Sequence, residues 1–413
     1  MTSDLAILGG SPAVATPLSV DRTQPTAYDV ETVENYLRSR GTLSYWAREG
    51  ELAAYEDELA GFFSKDHAVL VNSGTSALYL AYVALGVGPG DEVIVPDVSF
   101  YAVAIPAAAL GATVVVADCD SSTGLIDQAD VLRRTTSRTK AVTVNHLCGD
   151  SDDPQALLAS LHARGVALVE DVSLATGATN QGTRVGSWGD YTCLSLGSTK
   201  LLSGGQGGCV LTDSYDGYQK IVLRSSFGGR AQQEIMDPYL RQFADVGTGM
   251  NLRMHPLAIA ISHARFGRLQ QLVAAREERY RTLSGAIPSV PGLSAPRTVP
   301  GSTRGSWHGF YALLDADAEV SPEALVAALR AEGVDCAVGP HYPRLSRTRS
   351  FAPAADDPLR AEVSGSSTFV DRVISFPLFL DEPMWLIEQY CRALEKVGSS
   401  LGAVPDARKV ACR

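Results

Sequence analysis

Basic charge is what this chain has too little of. Lys and Arg total 35 against 46 Asp and Glu, a formal net charge of -11 at pH 7. An acidic surface repels polyanions, so nucleic acid and an anionic membrane face are excluded as main partners. A local pocket can still oppose the global sign and take a small anion. Long apolar runs are also missing, and nothing approaches the ~20 residues that cross a bilayer. Met1 to Pro17 has no basic start followed by an apolar core, so no signal peptide is expected. Cysteines are few and scattered: Cys119, Cys148, Cys193, Cys209, Cys336, Cys391 and Cys412. They form no CxxC pair and their number is odd, which points to reduced thiols in a cytoplasmic protein. No His/Cys group has metal-ligand spacing, so no metal is expected. Internal repeats and low-complexity tracts are absent.

Apolar residues make up 45% and charged residues 20% of the 413, the composition of an ordinary globular chain. That length allows roughly two to three domains at ~150 residues each. Seven short apolar runs read as strands: Ala68 to Val71, Glu92 to Val95, Thr113 to Ala117, Ala141 to Val144, Ala167 to Glu170, Thr192 to Leu196 and Cys209 to Leu211. Helical patterns such as Ser76 to Leu85 and Pro154 to Ala163 lie between the first five. Continuous Val/Ile/Leu strands alternating with helices predict an α/β fold, its mostly parallel sheet covered on both faces. The last two runs have no helix between them; they pair antiparallel or join by looser crossovers. Leu257 to Ile287 reads as one long helix with Arg265, Arg268, Arg276, Glu277, Glu278 and Arg279 along a charged side. Beyond the Pro/Gly/Ser-rich Pro288 to Ser306, strand Trp307 to Leu314 precedes helix Pro322 to Glu332, and strand Val373 to Phe376 precedes helix Pro383 to Val397. The division expected is a large domain over 1–255, with an N-terminal arm, and a small C-terminal α+β domain over 256–413.

Three places in the large domain carry chemistry. Asn72-Ser73-Gly74-Thr75-Ser76-Ala77-Leu78 follows a strand and opens a helix. Gly74 permits close backbone approach, and the free amides and dipole of a helix start attract an anion. The same residues would also serve as a plain helix cap. Glu170-Asp171 ends a buried strand, at the edge where open α/β sheets bind ligands. A carboxylate there can keep a ring nitrogen protonated; it can equally cap the following turn. Ser195-Leu196-Gly197-Ser198-Thr199-Lys200 precedes Gly204-Gly205-Gln206-Gly207-Gly208. Partial burial of Lys200 would lower its pKa and favour the neutral amine that forms imines; a lysine snorkelling from a loop is the alternative. A P-loop is excluded, because GxxxxGK[ST] is not present. Phosphate clamp, ring-nitrogen partner and amine together match the needs of pyridoxal 5'-phosphate.

With these motifs the chain resembles the DegT/DnrJ/EryC1/StrS family of fold-type I, pyridoxal-phosphate-dependent aminotransferases over nearly its whole length. Leu5-Ala6-Ile7-Leu8-Gly9-Gly10-Ser11-Pro12 resembles the N-terminal segment of its aminocyclitol and aminohydroxybenzoate branches. His341-Tyr342-Pro343 and Phe376-Pro377-Leu378 are similar to further landmarks. The resemblance implies a seven-stranded large domain and a homodimer with shared active sites. It gives the cofactor phosphate to Gly74, Thr75, Ser76 and Ser195, and ring stacking to Phe100 of Pro96 to Phe100. Asp171 takes the pyridine nitrogen and Lys200 the Schiff base. Met250-Asn251-Leu252-Arg253-Met254 resembles the family's N-x-R-M, so Asn251 would reach the phosphate of a neighbouring subunit.

Two departures stand out. Leu174 occupies the place where the family usually has Gln or His, hydrogen-bonded to the cofactor's phenolic oxygen. Gln206 replaces an acidic residue in the glycine run. Retention of Lys200 argues against the dehydratases of the family, which carry histidine there. The resemblance implies transfer of an amino group from glutamate or glutamine to a keto-sugar, keto-cyclitol or related acceptor in specialised, antibiotic-like biosynthesis. Arg230 and His341 are candidate substrate contacts. Two alternatives stay open: other chemistry on an amino acid (elimination, aldol-type cleavage or carbon–carbon bond formation), and a non-catalytic relative.

Overall fold

The computed structural model describes residues 4–15, 23–351, 363–379 and 382–405. Cys412 and parts of Met1 to Pro17 lie outside the described residues. The large sheet holds seven strands: β1 His67–Val71, β2 Glu92–Pro96, β3 Thr113–Ala117, β4 Thr139–Asn145, β5 Ala167–Asp171, β6 Tyr191–Ser195 and β7 Gly208–Thr212. Their order is β1-β7-β6-β5-β4-β2-β3. β3, β2, β4, β5 and β6 run parallel. β7 is antiparallel to both β6 and β1, which settles the pairing left open by the sequence.

Why these runs become strands is visible in where alternate residues go. In β1, Val69 and Val71 enter one apolar layer while Ala68 and Leu70 enter the opposite one. In β7, Val210 joins the first layer, and Cys209 and Leu211 the second. Both faces are covered, so Ala68 to Val71 and Cys209 to Leu211 are uninterruptedly apolar and no polar alternation appears. Helices Gly74–Ala84 and Tyr215–Ser225 pack on the first face, and Gly50–Phe63 on the second. All six cysteines among the described residues are free thiols.

The predicted helix Leu257 to Ile287 is two helices. Pro256–Phe266 stops at Gly267, and Leu269–Ala286 restarts after Arg268, whose φ of -113° and ψ of 10° leave the helical range. The first packs on helices Ala27–Arg38 and Gly50–Phe63, beside the large sheet; the second packs on the C-terminal helix Met384–Ser399. Arg276 is not on a charged outer side. It is wholly buried.

A second, antiparallel sheet is built from β8 Leu293–Ser294, β9 Phe310–Leu314, β10 Ala337–Val338 and β11 Val373–Phe376, in the order β8-β9-β11-β10. Phe310, Ala312 and Leu314 face helices Pro322–Ala331 and Met384–Ser399. Tyr311 and Leu313 point the other way, into a cluster with Leu147, Cys148 and Leu174. The second sheet thus shares one apolar joint with the loops that follow strands of the large sheet. The strand predicted to start at Trp307 starts at Phe310, because Trp307 (φ 44°) and Gly309 (φ 110°) break extended backbone.

Candidate active site

Strand ends gather the chemistry. Asn145 of β4, Asp171 of β5 and Cys193 of β6 are aligned neighbours across the sheet, and Ser195 ends β6 opposite Gly208. Because side chains alternate along a strand, Glu170 and Asp171 face opposite ways. Glu170 is fully buried and accepts from the amides of Gly186, Trp188 and Gly189, at 3.0, 2.9 and 2.6 Å. His146 Nε2 lies 3.3 Å from it. Burial opposes the Glu170 charge, but His146 and these amides outweigh it and hold the carboxyl below the usual range. Glu170 is a loop anchor. Asp171 is 8% exposed; its carboxylate accepts from the Ser173 amide at 3.0 Å and acts electrostatically on Lys200.

The Gly74 turn touches Ser195. A Cβ added at Gly74 would lie 2.8 Å from Ser195 Cβ, and one at Gly208 would lie 2.4 Å from Ser73 O. Glycine is therefore required where the two segments meet. Ser73 Oγ accepts from the Ser76 amide at 3.1 Å, and Ser76 Oγ donates to Asn72 Oδ1 at 2.7 Å. These bonds fix the helix start while Gly74 and Thr75 present first-turn amides that have no partner within the helix.

Lys200 sits in a tight turn. Its amide donates to Gly197 O at 2.9 Å and its carbonyl accepts from Ser203 N at 3.1 Å; Leu196 N and Gly204 N close the base of the loop. The amine is part-buried, and Nζ lies 3.2 Å from His308 Nε2. Burial lowers the Lys200 pKa to about 8, with the Asp171 carboxylate opposing and the Arg276 guanidinium assisting. About a tenth of the amine is then neutral at pH 7, against under a thousandth for an ordinary lysine.

The other expected residues divide. Phe100 is 41% exposed and lies tilted against Tyr101 at 4.0 Å, with Tyr342 edge-on at 6.3 Å. Asn251 is exposed; its Oδ1 accepts from Arg253 Nε at 2.9 Å, and the adjoining Leu252 carbonyl accepts from the Asn72 amide at 2.7 Å. His341 is exposed, and its Nε2 donates to Phe376 O at 2.9 Å. Arg230 must be withdrawn as a substrate contact. It is 6% exposed, paired through both Nη atoms with Glu56 at 2.8 and 2.9 Å, and bonded to Glu234 at 3.0 Å. Its donors are committed to carboxylates of its own chain.

Two residues escaped the sequence reading. His308 looked like part of a strand, and Arg276 like part of a solvated helix face. The usable signal for His308 was the glycine on its C-terminal side. Leu174 packs its side chain with Cys148 and Tyr311, while its carbonyl accepts from Ser306 Oγ at 2.9 Å.

Comparison with family models matches residues 28–382 to the DegT/DnrJ/EryC1/StrS aminotransferase family. The chain belongs to that family. It is 30% identical over 417 residues to the L-glutamine:scyllo-inosose aminotransferase of Streptomyces griseus, covering 96% of this chain and 98% of that protein. With the L-glutamine:2-deoxy-scyllo-inosose aminotransferase of Streptoalloteichus tenebrarius it shares 30% identity over 365 residues, 86% of this chain and 85% of that one. Among solved structures, an aminotransferase from Psychrobacter cryohalolentis superposes with a TM-score of 0.81 at 24% identity, covering 94% of this chain and all of that one. The chain is accordingly a pyridoxal-phosphate-dependent aminotransferase of fold type I. The residues present fit that cofactor: a helix start that only glycine can bring against Ser195, a carboxylate on the central strand, and an amine of lowered pKa.

Proposed function

We propose that this chain moves an amino group from L-glutamine or L-glutamate to a keto-cyclitol, keto-sugar or similar cyclic ketone in specialised, antibiotic-like biosynthesis. Relatives named for L-glutamine and scyllo-inosose, aligned over nearly the full chain, support the donor and the acceptor class. The observation that carries the chemistry is the part-buried Lys200 amine with its pKa lowered to about 8.

Pyridoxal phosphate, when bound, supplies a carbonyl that links to amines and a ring that accepts electrons from the adjoining carbon. The amides and hydroxyls of Gly74, Thr75, Ser76 and Ser195 would hold its phosphate. Asp171 would keep a proton on the ring nitrogen, and Phe100 would cover a ring face. Lys200 would provide the linking amine and, when released, carry a proton between donor and acceptor carbon as base and then acid. Its lowered pKa suits both roles near neutral pH. Among the sequence-derived substrate contacts, His341 is retained.

We further place the boundary between the two units at Gly267–Arg268 rather than at 255, since Pro256–Phe266 packs with the large unit. A homodimer is also part of this reading. Leu43, Trp46 and Met250 are 58%, 56% and 54% exposed, and Leu43 and Trp46 line one pocket with Asn251 and Arg253. Such clustered apolar exposure is characteristic of an interface, and Asn251 would reach a second copy's phosphate there. No helix among the described residues is long and apolar enough to cross a membrane; we place the enzyme in the cytoplasm. The test is to incubate the cofactor-loaded protein with L-glutamine or L-glutamate plus a panel of cyclic ketones. Stoichiometric formation of the donor's keto acid and an aminated ring is expected. Failure of both donors to yield a keto acid with any acceptor would sink the proposal.

A further inference from the structure

The loop Arg304–Gly309 is held in a shape that free backbone avoids. Trp307 has a φ of 44°, Gly305 of 54° and Gly309 of 110°. A Cβ at Gly305 would lie 2.1 Å from Ala178 N, and one at Gly309 would lie 2.9 Å from Cys148 Sγ. The bonds that fix the loop include Arg304 Nη2 to Asp150 Oδ2 at 2.8 Å, Arg276 Nη1 to Ser306 O at 2.6 Å, Ser306 Oγ to Leu174 O at 2.9 Å, and Trp307 N to Arg304 O at 3.2 Å. Left-handed backbone at a tryptophan persists only where surrounding structure over-determines it. What this loop delivers is one ring. His308 is 6% exposed, its Nε2 is 3.2 Å from Lys200 Nζ, and its Nδ1 is buried with no hydrogen-bond partner among the described residues.

The protonation of the pair follows from donor counting. Burial first, then the positive charges of Lys200 and Arg276 and the neighbouring His341, holds His308 well below the usual histidine range, so the ring is neutral. Below about pH 8 Lys200 is an ammonium, with three donors and no acceptor. Nε2 must then accept, and Nδ1 carries the ring proton. The charged groups acting on Lys200 are Asp171, which favours the ammonium, and Arg276, which disfavours it.

We propose that His308 is a positioning residue for Lys200: its Nε2 accepts a hydrogen bond from the amine and fixes where that amine points whenever it is not covalently engaged. This rests on the reading above that Lys200 is the working amine. The buried Nδ1–H is left to donate to a ligand acceptor in the loaded site, an offer that the apolar Leu174 side chain cannot make.

The experiment uses cofactor-free protein and trace acetic anhydride across neutral to alkaline pH, with acetylation of Lys200 read by peptide mass spectrometry. Half-maximal labelling is expected near pH 8 in the native protein. In His308→Phe the ammonium loses its acceptor, and the midpoint falls by about one pH unit. His308→Gln places an amide oxygen near the Nε2 position and returns the midpoint towards the native value. An unchanged or raised midpoint in folded His308→Phe overturns the proposal, as does identical behaviour of the Phe and Gln variants. His308→Leu replaces the Phe variant if the larger ring prevents folding, as judged by thermal melting. The functional reading fails separately: Lys200→Ala that still acquires the covalent cofactor absorbance would remove Lys200 as the amine, whatever His308 does.

Discussion

Lys200 and Arg230 are both cations withdrawn from water inside the same large unit, and their surroundings give them opposite roles. Arg230 meets Glu56 through two parallel bonds and Glu234 through a third, while Arg48 shares Glu56 at 3.0 Å. Its charge is matched and its donors are used. Lys200 meets a neutral imidazole, with Asp171 favouring its charge and Arg276 opposing it. Its charge is under-matched, so its proton is loosely held. Buried charge that is fully paired builds structure; buried charge left short of partners is available for chemistry.

The sharpest way to break this contrast is at Lys200 itself. Lys200→Ala should lower the amination rate by about 10⁴-fold or more, since both the linking amine and the proton carrier are lost; initial rates with the best donor and acceptor check it. Its fold should survive, because no matched charge is orphaned.

Glu56→Ala should do the reverse. It strips the buried Arg230 of its bidentate partner, leaving only Glu234, takes from Arg48 one of its two carboxylates, and also frees the Leu70 amide, which donates to Glu56 at 2.8 Å. A loss of about 3–5 kcal/mol is expected, read as a large drop in melting temperature. Any protein that remains folded should keep the Lys200 labelling midpoint near 8.

A smaller effect is expected at the phosphate end. Gly74→Ala forces a Cβ to 2.8 Å from Ser195 Cβ, and the helix start and the end of β6 must part by a few tenths of an ångström. Cofactor affinity should fall about tenfold, the cost of overpacking a tight contact, as measured by titrating cofactor-free protein with pyridoxal phosphate.

The smallest is a pH effect on stability. Burial places the Lys200 pKa near 8 in the folded chain, against 10.5 for the free side chain. Between those values the unfolded chain binds more protons, so this group's contribution to stability rises with pH across that window and its penalty is full below pH 8. Lys200→Met should therefore melt above the native protein at neutral pH, with the gap closing as pH climbs from 8 to 10.5. A gap independent of pH would mean that the amine is not desolvated.

The seven strands were legible because burial on both faces leaves uninterrupted apolar runs, and β11 was placed at its observed ends. The Gly74 turn, Asp171, Ser195 and Lys200 could be singled out as candidates because each lies at a strand end or in the turn that follows one, where local pattern marks the ligand-binding edge of the sheet. Glu170 and Asp171 could be separated by the period of two once the strand was known. Arg230 was misread because its partner Glu56 lies 174 residues away in sequence. The helix break at Gly267–Arg268 was misread because a single glycine in an apolar, charged pattern is compatible with either outcome.

By itself the sequence determined the order of elements, the glycine turns and the residue types that a pyridoxal-phosphate site needs, because those depend on neighbours along the chain. Only the tertiary structure decided which buried charges are paired and which are left for chemistry. Charge matching depends on side chains brought together from distant segments, as with Lys200 and His308, which are 108 residues apart.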